Sequence, residues 1–175
     1  MSWRRDLYAN ASRHGVKGAL IGWFLNPGFA VVTLYRLMRY AYLRGGPLGR
    51  LVEKLVWRRI VFGYGCYIDP TAKIGPGLRL PHPVGIVIGA DTVIGADVTI
   101  YQNVTFGRRA ANEAVYPVIE DGTIIYAGAI VTGEITVGHD ATIAAGALVR
   151  HDVPAHGVAL PASGAIRQGK LHAAP

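Results

Sequence analysis

The sequence predicts a mostly β chain, a parallel β-helix of six-residue repeats preceded by a small N-terminal α-helical region. Three observations carry that prediction. Aliphatic residues recur every six positions from residue 68 onward, a period that belongs to neither a helix nor a hairpin meander. Glycine is abundant, at 23 of 175 residues, while charged residues make up only 17%, which suits coils that turn often and have few solvated faces. In the first third the apolar residues follow a helical period instead.

Composition narrows the class further. At 51% hydrophobic, the chain is too apolar to be disordered, and its length suits one domain that buries a core without covalent staples. A lone cysteine, Cys66, excludes a disulfide scaffold or a thiolate zinc site built within the chain. It also fits a reducing compartment, so a cytoplasmic protein is expected. Charge is uneven. Residues 1–66 hold eleven Lys and Arg against Asp6 and Glu53, a net +9, and residues 67–175 hold seven bases and nine acids, a net −2; together they give the chain's +7. A basic segment of this kind is a candidate for an anionic membrane surface or an acidic ligand. No nucleic-acid-binding motif accompanies it, so nucleic acid is not expected. The apolar run at 18–25 is interrupted by Asn26-Pro27-Gly28 and falls short of a membrane span.

The elements follow in order. A less defined helix precedes Asn26. Asn26-Pro27 then makes an N-cap and first turn, after which Leu34, Leu37, Met38, Ala41 and Tyr42 form one stripe, ended by Gly45-Gly46. Pro47 opens another helix with Leu48, Leu51, Val52, Leu55 and Phe62 on one face, closed by Gly63 and Gly65. The repeat anchors come next: Ile68, Ile74, Leu80; Ile88, Ile94, Ile100, Phe106; then Ile119, Ile125, Val131, Val137, Ile143 and Val149. Three six-residue faces make one triangular coil, with the anchors pointing inward and small residues at the corners. The step from Leu80 to Ile88 holds a two-residue insertion with Pro81-His82-Pro83. The step from Phe106 to Ile119 holds an irregular loop. Insertions in solenoids are where function collects. The expected organisation is a helical region over 1–66, a β-helix over 67–154 with a loop at 107–118, and a C-terminal extension over 155–175.

This order resembles the bacterial hexapeptide-repeat acyltransferases, in their serine acetyltransferase-like branch. NPGFAVVTLYRL, the insertion in RLPHPVG, the VTFG turn and the later repeats carry the resemblance, over roughly residues 26–165. It implies a left-handed coil, a homotrimer with active sites between subunits, and acetyl-CoA as cosubstrate. It also implies His82 as the catalytic base, taking the proton from an acceptor hydroxyl as that oxygen attacks the thioester. An imidazole suits the role because it titrates near neutrality, and the flanking prolines stiffen its backbone. The resemblance places the pantetheine arm along Gly107, Ala127, Gly128, Ala145 and Gly146, and the phosphates near Arg150, Arg167 and Lys170, with Arg108 and Arg109 as alternatives. A terminal arginine usual to the family is absent from Leu160-Pro161-Ala162-Ser163.

Three positions depart from serine acetyltransferases. Pro81 replaces an Asp before the base, Tyr116 replaces a second His, and Tyr67 replaces an Asp that orients the base. The first two help to grip free serine, so the sequence favours relatives from exopolysaccharide, capsule and O-antigen gene clusters, with a sugar hydroxyl as the acceptor. Tyr67, Tyr101, Asn103 and Tyr116 are the candidate acceptor contacts, and Tyr67 or Asp69 is the candidate for orienting His82. The alternatives are a serine O-acetyltransferase and a catalytically silent trimeric scaffold. His151 and His156 share a suggestive spacing and His139 sits at a turn, but the first two fall after the last anchor and no metal is expected. The basic helices remain a candidate contact with a membrane surface.

Overall fold

The computed structural model describes residues 2–110, 112 and 114–162. Four helices come first: α1 (Ser2–Ala11), α2 (Gly15–Leu25), α3 (Pro27–Arg44) and α4 (Gly46–Tyr64). Asn26 caps α3, its side-chain oxygen accepting from the Phe29 N–H at 2.8 Å, with Pro27 in the first turn. Gly65, in the left-handed conformation, closes α4.

Thirteen short strands follow among the described residues. β1 (Tyr67–Ile68), β3 (Val87–Ile88), β6 (Thr105–Gly107), β9 (Ile130–Thr132) and β12 (Leu148–Val149) stack into face I. β2 (Lys73–Ile74), β4 (Val93–Ile94), β7 (Val118–Ile119) and β10 (Thr136–Val137) form face II. β5 (Thr99–Ile100), β8 (Ile124–Ile125), β11 (Thr142–Ile143) and β13 (Val158–Ala159) form face III. All pairings are parallel and in register, so the anchors stack into columns: Ile68 on Ile88, Ile88 on Phe106, Phe106 on Val131, Val131 on Val149. All thirteen predicted anchors are buried. Two-residue strands leave most of each coil in its corners. The four helices, of 10, 11, 18 and 19 residues, therefore hold more residues than the strands, which corrects the expectation of a mostly β chain.

The helices cap the open end of the solenoid. A terminal coil has one bare edge of backbone groups that must find partners. Here the carbonyls of Pro70, Ala72 and Leu78 accept from Arg39, the Tyr35 hydroxyl and Asn10, each at 2.7 Å. Arg36 donates to the carbonyls of Ile74 and Gly75 while pairing with the buried Asp6 at 3.1 Å. Asp6 also accepts from the Gly77 N–H at 2.8 Å. Gly28 permits this seat, since a Cβ there would run into the Leu80 carbonyl. Leu34, Met38 and Ala41 of the predicted α3 stripe are buried, but Leu37 and Tyr42 are exposed, and the row Leu48, Leu51, Leu55 and Phe62 on α4 faces out. Ile60 is the buried residue of α4.

Candidate active site

The corner from face III back to face I is a ladder. Its rungs are residues 81–86, 101–104, 126–129 and 144–147, joined by hydrogen bonds from Asn103 N–H to Val84 O at 2.9 Å, Gly128 N–H to Gln102 O at 3.0 Å and Gly146 N–H to Ala127 O at 2.9 Å. One residue per rung sits at positive φ: Gly85 at 67°, Asn103 at 59°, Gly128 at 70° and Gly146 at 71°. Only Gly or Asn takes that conformation cheaply, which is why these residues recur there.

His82 stands on the lowest rung. Its two-residue insertion bulges from the coil, leaving His82 exposed and Pro83 buried. Cys66, itself fully buried, donates its thiol to the Pro83 carbonyl at 3.0 Å, and the Val84 N–H closes a turn on the His82 carbonyl at 2.8 Å. The imidazole lies 6.3 Å from the Tyr101 ring, and Tyr101 stacks on Tyr126 at 5.2 Å. Tyr126 was not singled out by the sequence reading, although it follows its anchor Ile125 as Tyr101 follows Ile100. Neither was Gln102, whose buried Oε1 has no hydrogen-bond partner among the described residues. Two rungs above Gly85, and three above it, the Ala127-Gly128 and Ala145-Gly146 turns are open: a Cβ on either glycine would meet nothing within 4 Å. The structure thus brings His82, Tyr101, Asn103, Ala127, Gly128, Ala145 and Gly146 onto one edge.

The remaining candidates gather toward the other edge of face I. The 108–117 loop leaves at Gly107 and returns through Tyr116, whose ring packs so closely on Gly89 that a side chain there would clash. Arg108 lies 6.0 Å from the Tyr116 ring, and Arg109 donates to the Arg150 carbonyl at 2.6 Å. Asp69 Oδ1 accepts from the N–H and hydroxyl of Thr71 at 2.8 and 2.7 Å, so its carboxylate is committed to a local turn. Tyr67 stands on face I, edge-on to Trp57 at 5.8 Å. Partial burial, then Asp69 and Tyr116, push its hydroxyl above the ordinary pKa. Neither Tyr67 nor Asp69 hydrogen-bonds His82, whose imidazole has no hydrogen-bond or ion-pair partner among the described residues. Arg167 and Lys170 lie outside the described residues.

Another cluster occupies the corner from face II to face III. His139, Asp140 and His156 place three potential ligand atoms within 4.8 Å of one another, all exposed. Exposed groups of this kind are common without an ion. His151, paired with His156 by spacing, is not in the cluster, because it lies in the preceding corner of the coil.

Comparisons with known proteins agree with the fold. The family description "Bacterial transferase hexapeptide (six repeats)" matches residues 116–151. A serine acetyltransferase of Bacillus licheniformis is 42% identical over 112 residues, 62% of this chain and 52% of that protein. The crystal structure of Neisseria gonorrhoeae serine acetyltransferase in complex with serine superimposes with a TM-score of 0.77 at 30% identity, over 90% of this chain and 64% of that one. A serine acetyltransferase in complex with CoA superimposes with a TM-score of 0.75 at 31% identity, over 90% and 64%. The chain spans about half the length of the curated relatives it matches. These findings overturn the expectation of a sugar acceptor. Curated relatives at 36–42% identity and solved neighbours alike are serine acetyltransferases, and no link to polysaccharide gene clusters emerges. The departures at Pro81, Tyr116 and Tyr67 were too few to set against a likeness that runs through most of the chain. The chain carries the bacterial transferase hexapeptide repeat and is a homologue of the serine acetyltransferases.

Proposed function

We propose that this chain transfers the acetyl group of acetyl-CoA to the side-chain hydroxyl of serine, with His82 as general base. The observation that carries this reading is the shared edge: His82 is exposed at the foot of a ladder whose upper rungs, Ala127-Gly128 and Ala145-Gly146, are open to solvent. Successive coils lie about 4.8 Å apart, so an extended thioester arm laid along those rungs would bring its carbonyl down to the imidazole. His82 would take the serine hydroxyl proton as the oxygen attacks the carbonyl carbon. A backbone N–H would steady the tetrahedral oxyanion. The C–S bond then breaks and the imidazolium returns its proton to the departing sulfur, giving free CoA and O-acetylserine.

The left-handed sense of the coil and a homotrimer belong to the same reading, supported by the likeness to serine acetyltransferases. The candidates divide between two edges of face I, and one copy's His82 edge set against the next copy's loop edge would reunite them. The carboxylate of serine would then meet the loop arginines Arg108 and Arg109, in place of the missing His. Steady-state CoA release tests the reading. It predicts turnover that depends on L-serine and falls about 10²–10⁴-fold in His82→Ala, the usual contribution of a general base. Equal slow release by wild type and variant would leave a silent scaffold.

A further inference from the structure

Helix α2 is turned inside out. Amphipathic helices normally bury their large apolar residues, yet the buried residues of α2 are Gly18 and Gly22. Val16, Leu20, Phe24 and Leu25 are 73%, 60%, 80% and 75% exposed. The glycines make the seat: a Cβ on Gly22 would lie 3.0 Å from Leu7 Cδ1 and 3.2 Å from Phe29 Cδ1, so α2 packs on α1 and α3 through its backbone and shows its side chains to the outside.

The sequence around it is basic. Residues 7–52 contain six Lys and Arg and no Asp or Glu, and the preceding acid, Asp6, is buried against Arg36. Arg13 and Lys17 flank the start of α2. Trp23, amphipathic and partly exposed, is suited to a water–lipid boundary. No single helix among the described residues is long and apolar enough to cross a membrane, and α2 and α3 together are bent by 106°. Moreover, α3 spends Val31, Val32, Leu34, Tyr35 and Met38 in the protein core. With eleven residues, α2 rises about 16 Å, roughly half a bilayer core.

We infer that the outward face of α2 is a monotopic contact with an anionic membrane surface. Its apolar side chains enter the acyl boundary and the neighbouring bases meet the headgroups. This assignment does not depend on the chemistry at His82. Co-sedimentation of the full chain with vesicles tests it, using phosphatidylcholine alone or mixed with phosphatidylglycerol. Wild type should bind the anionic vesicles at least about tenfold more tightly than the neutral ones, and less as salt rises. Leu20→Glu/Phe24→Glu should lose at least about tenfold, with unchanged circular dichroism and unchanged mass in sedimentation velocity. Arg13→Gln/Lys17→Gln, which leaves the apolar face intact, should lose about tenfold on anionic vesicles alone. Wild type remaining in the supernatant with both vesicle types would overturn the inference. So would equal binding to neutral vesicles, or retention by both variants. A smaller assembly in Leu20→Glu/Phe24→Glu would show that a second copy covers the face instead.

Discussion

The Cys66 thiol donates to the Pro83 carbonyl at 3.0 Å, tying the first buried side chain of the solenoid to the residue that follows His82. The contact links core packing to the proposed chemistry. The bulge that displays His82 carries no other side-chain hydrogen bond among the described residues, so this thiol helps to steady it from below, beside the backbone bond from the Gly85 N–H to the Gly65 carbonyl.

Cys66 is therefore expected to act as a positioning residue. Cys66→Ala should cost about 1–2 kcal/mol of stability, the range for losing a buried contact and its hydrogen bond. It should also lower kcat for acetyl transfer about tenfold with little change in the KM for acetyl-CoA, because a loosened His82 is mispositioned rather than missing. Thermal melts and steady-state kinetics on the same preparation check both. A lower melting temperature with unchanged kcat would confine Cys66 to packing.

The same thiol predicts a response to alkali. Burial pushes Cys66 up to about 11 from an ordinary 9.0. The native state thus holds its proton where the unfolded chain has released it, and stability falls as pH rises through that window. Tyr35, also raised by burial, adds a loss of the same sign above its ordinary 10.0. Urea unfolding at pH 8, 9.5 and 11 should show a progressive decline, and Cys66→Ala should flatten the part of it between about 9 and 11.

Asp6 is a polar residue that the solenoid cap cannot lose cheaply. It is buried, pairs with Arg36 and accepts from the Gly77 N–H. Deleting it leaves the guanidinium partly buried and uncompensated. Asp6→Ala should destabilise by about 3 kcal/mol, read from denaturant midpoints. The exposed pair of Arg5 with Asp97 should contribute little by comparison, about 0–1 kcal/mol in the same measurement on Arg5→Ala.

The open rungs predict a separation of binding from folding. Gly128 is at φ 70°, and a Cβ there would meet no atom within 4 Å. Gly128→Val should cost a backbone strain of at least about 1–2 kcal/mol, while raising the KM for acetyl-CoA by tenfold or more through steric obstruction of the arm. Equilibrium CoA binding and a thermal melt distinguish the two effects. An unchanged CoA affinity would move the arm off this edge.

How much of this was legible in the sequence depends on how local the cause is. The coil was legible because each anchor sits at a repeated lattice point, and all thirteen are buried. The α3 cap was legible from Asn26-Pro27. Helix α2 was not, because its apolar run reads equally well with side chains in or out; two glycines meeting Leu7 and Phe29 decide it. The leucines of α4 failed for a related reason, since a helical stripe marks a face without naming its partner. His82 stood out as an insertion, but the division of its companions between two edges of face I became visible only once the coils were stacked. Tyr126 was within reach, since it repeats the offset of Tyr101. The acceptor class was not legible from three missing side chains, because the likeness to serine acetyltransferases runs through most of the chain.

The most direct test of the account is the amount of O-acetyl-L-serine formed from L-serine and acetyl-CoA by wild type and His82→Ala, measured side by side on folded protein. Wild type should form product, and His82→Ala about 10²–10⁴-fold less. Product at equal rates from both, or none from wild type, would contradict it.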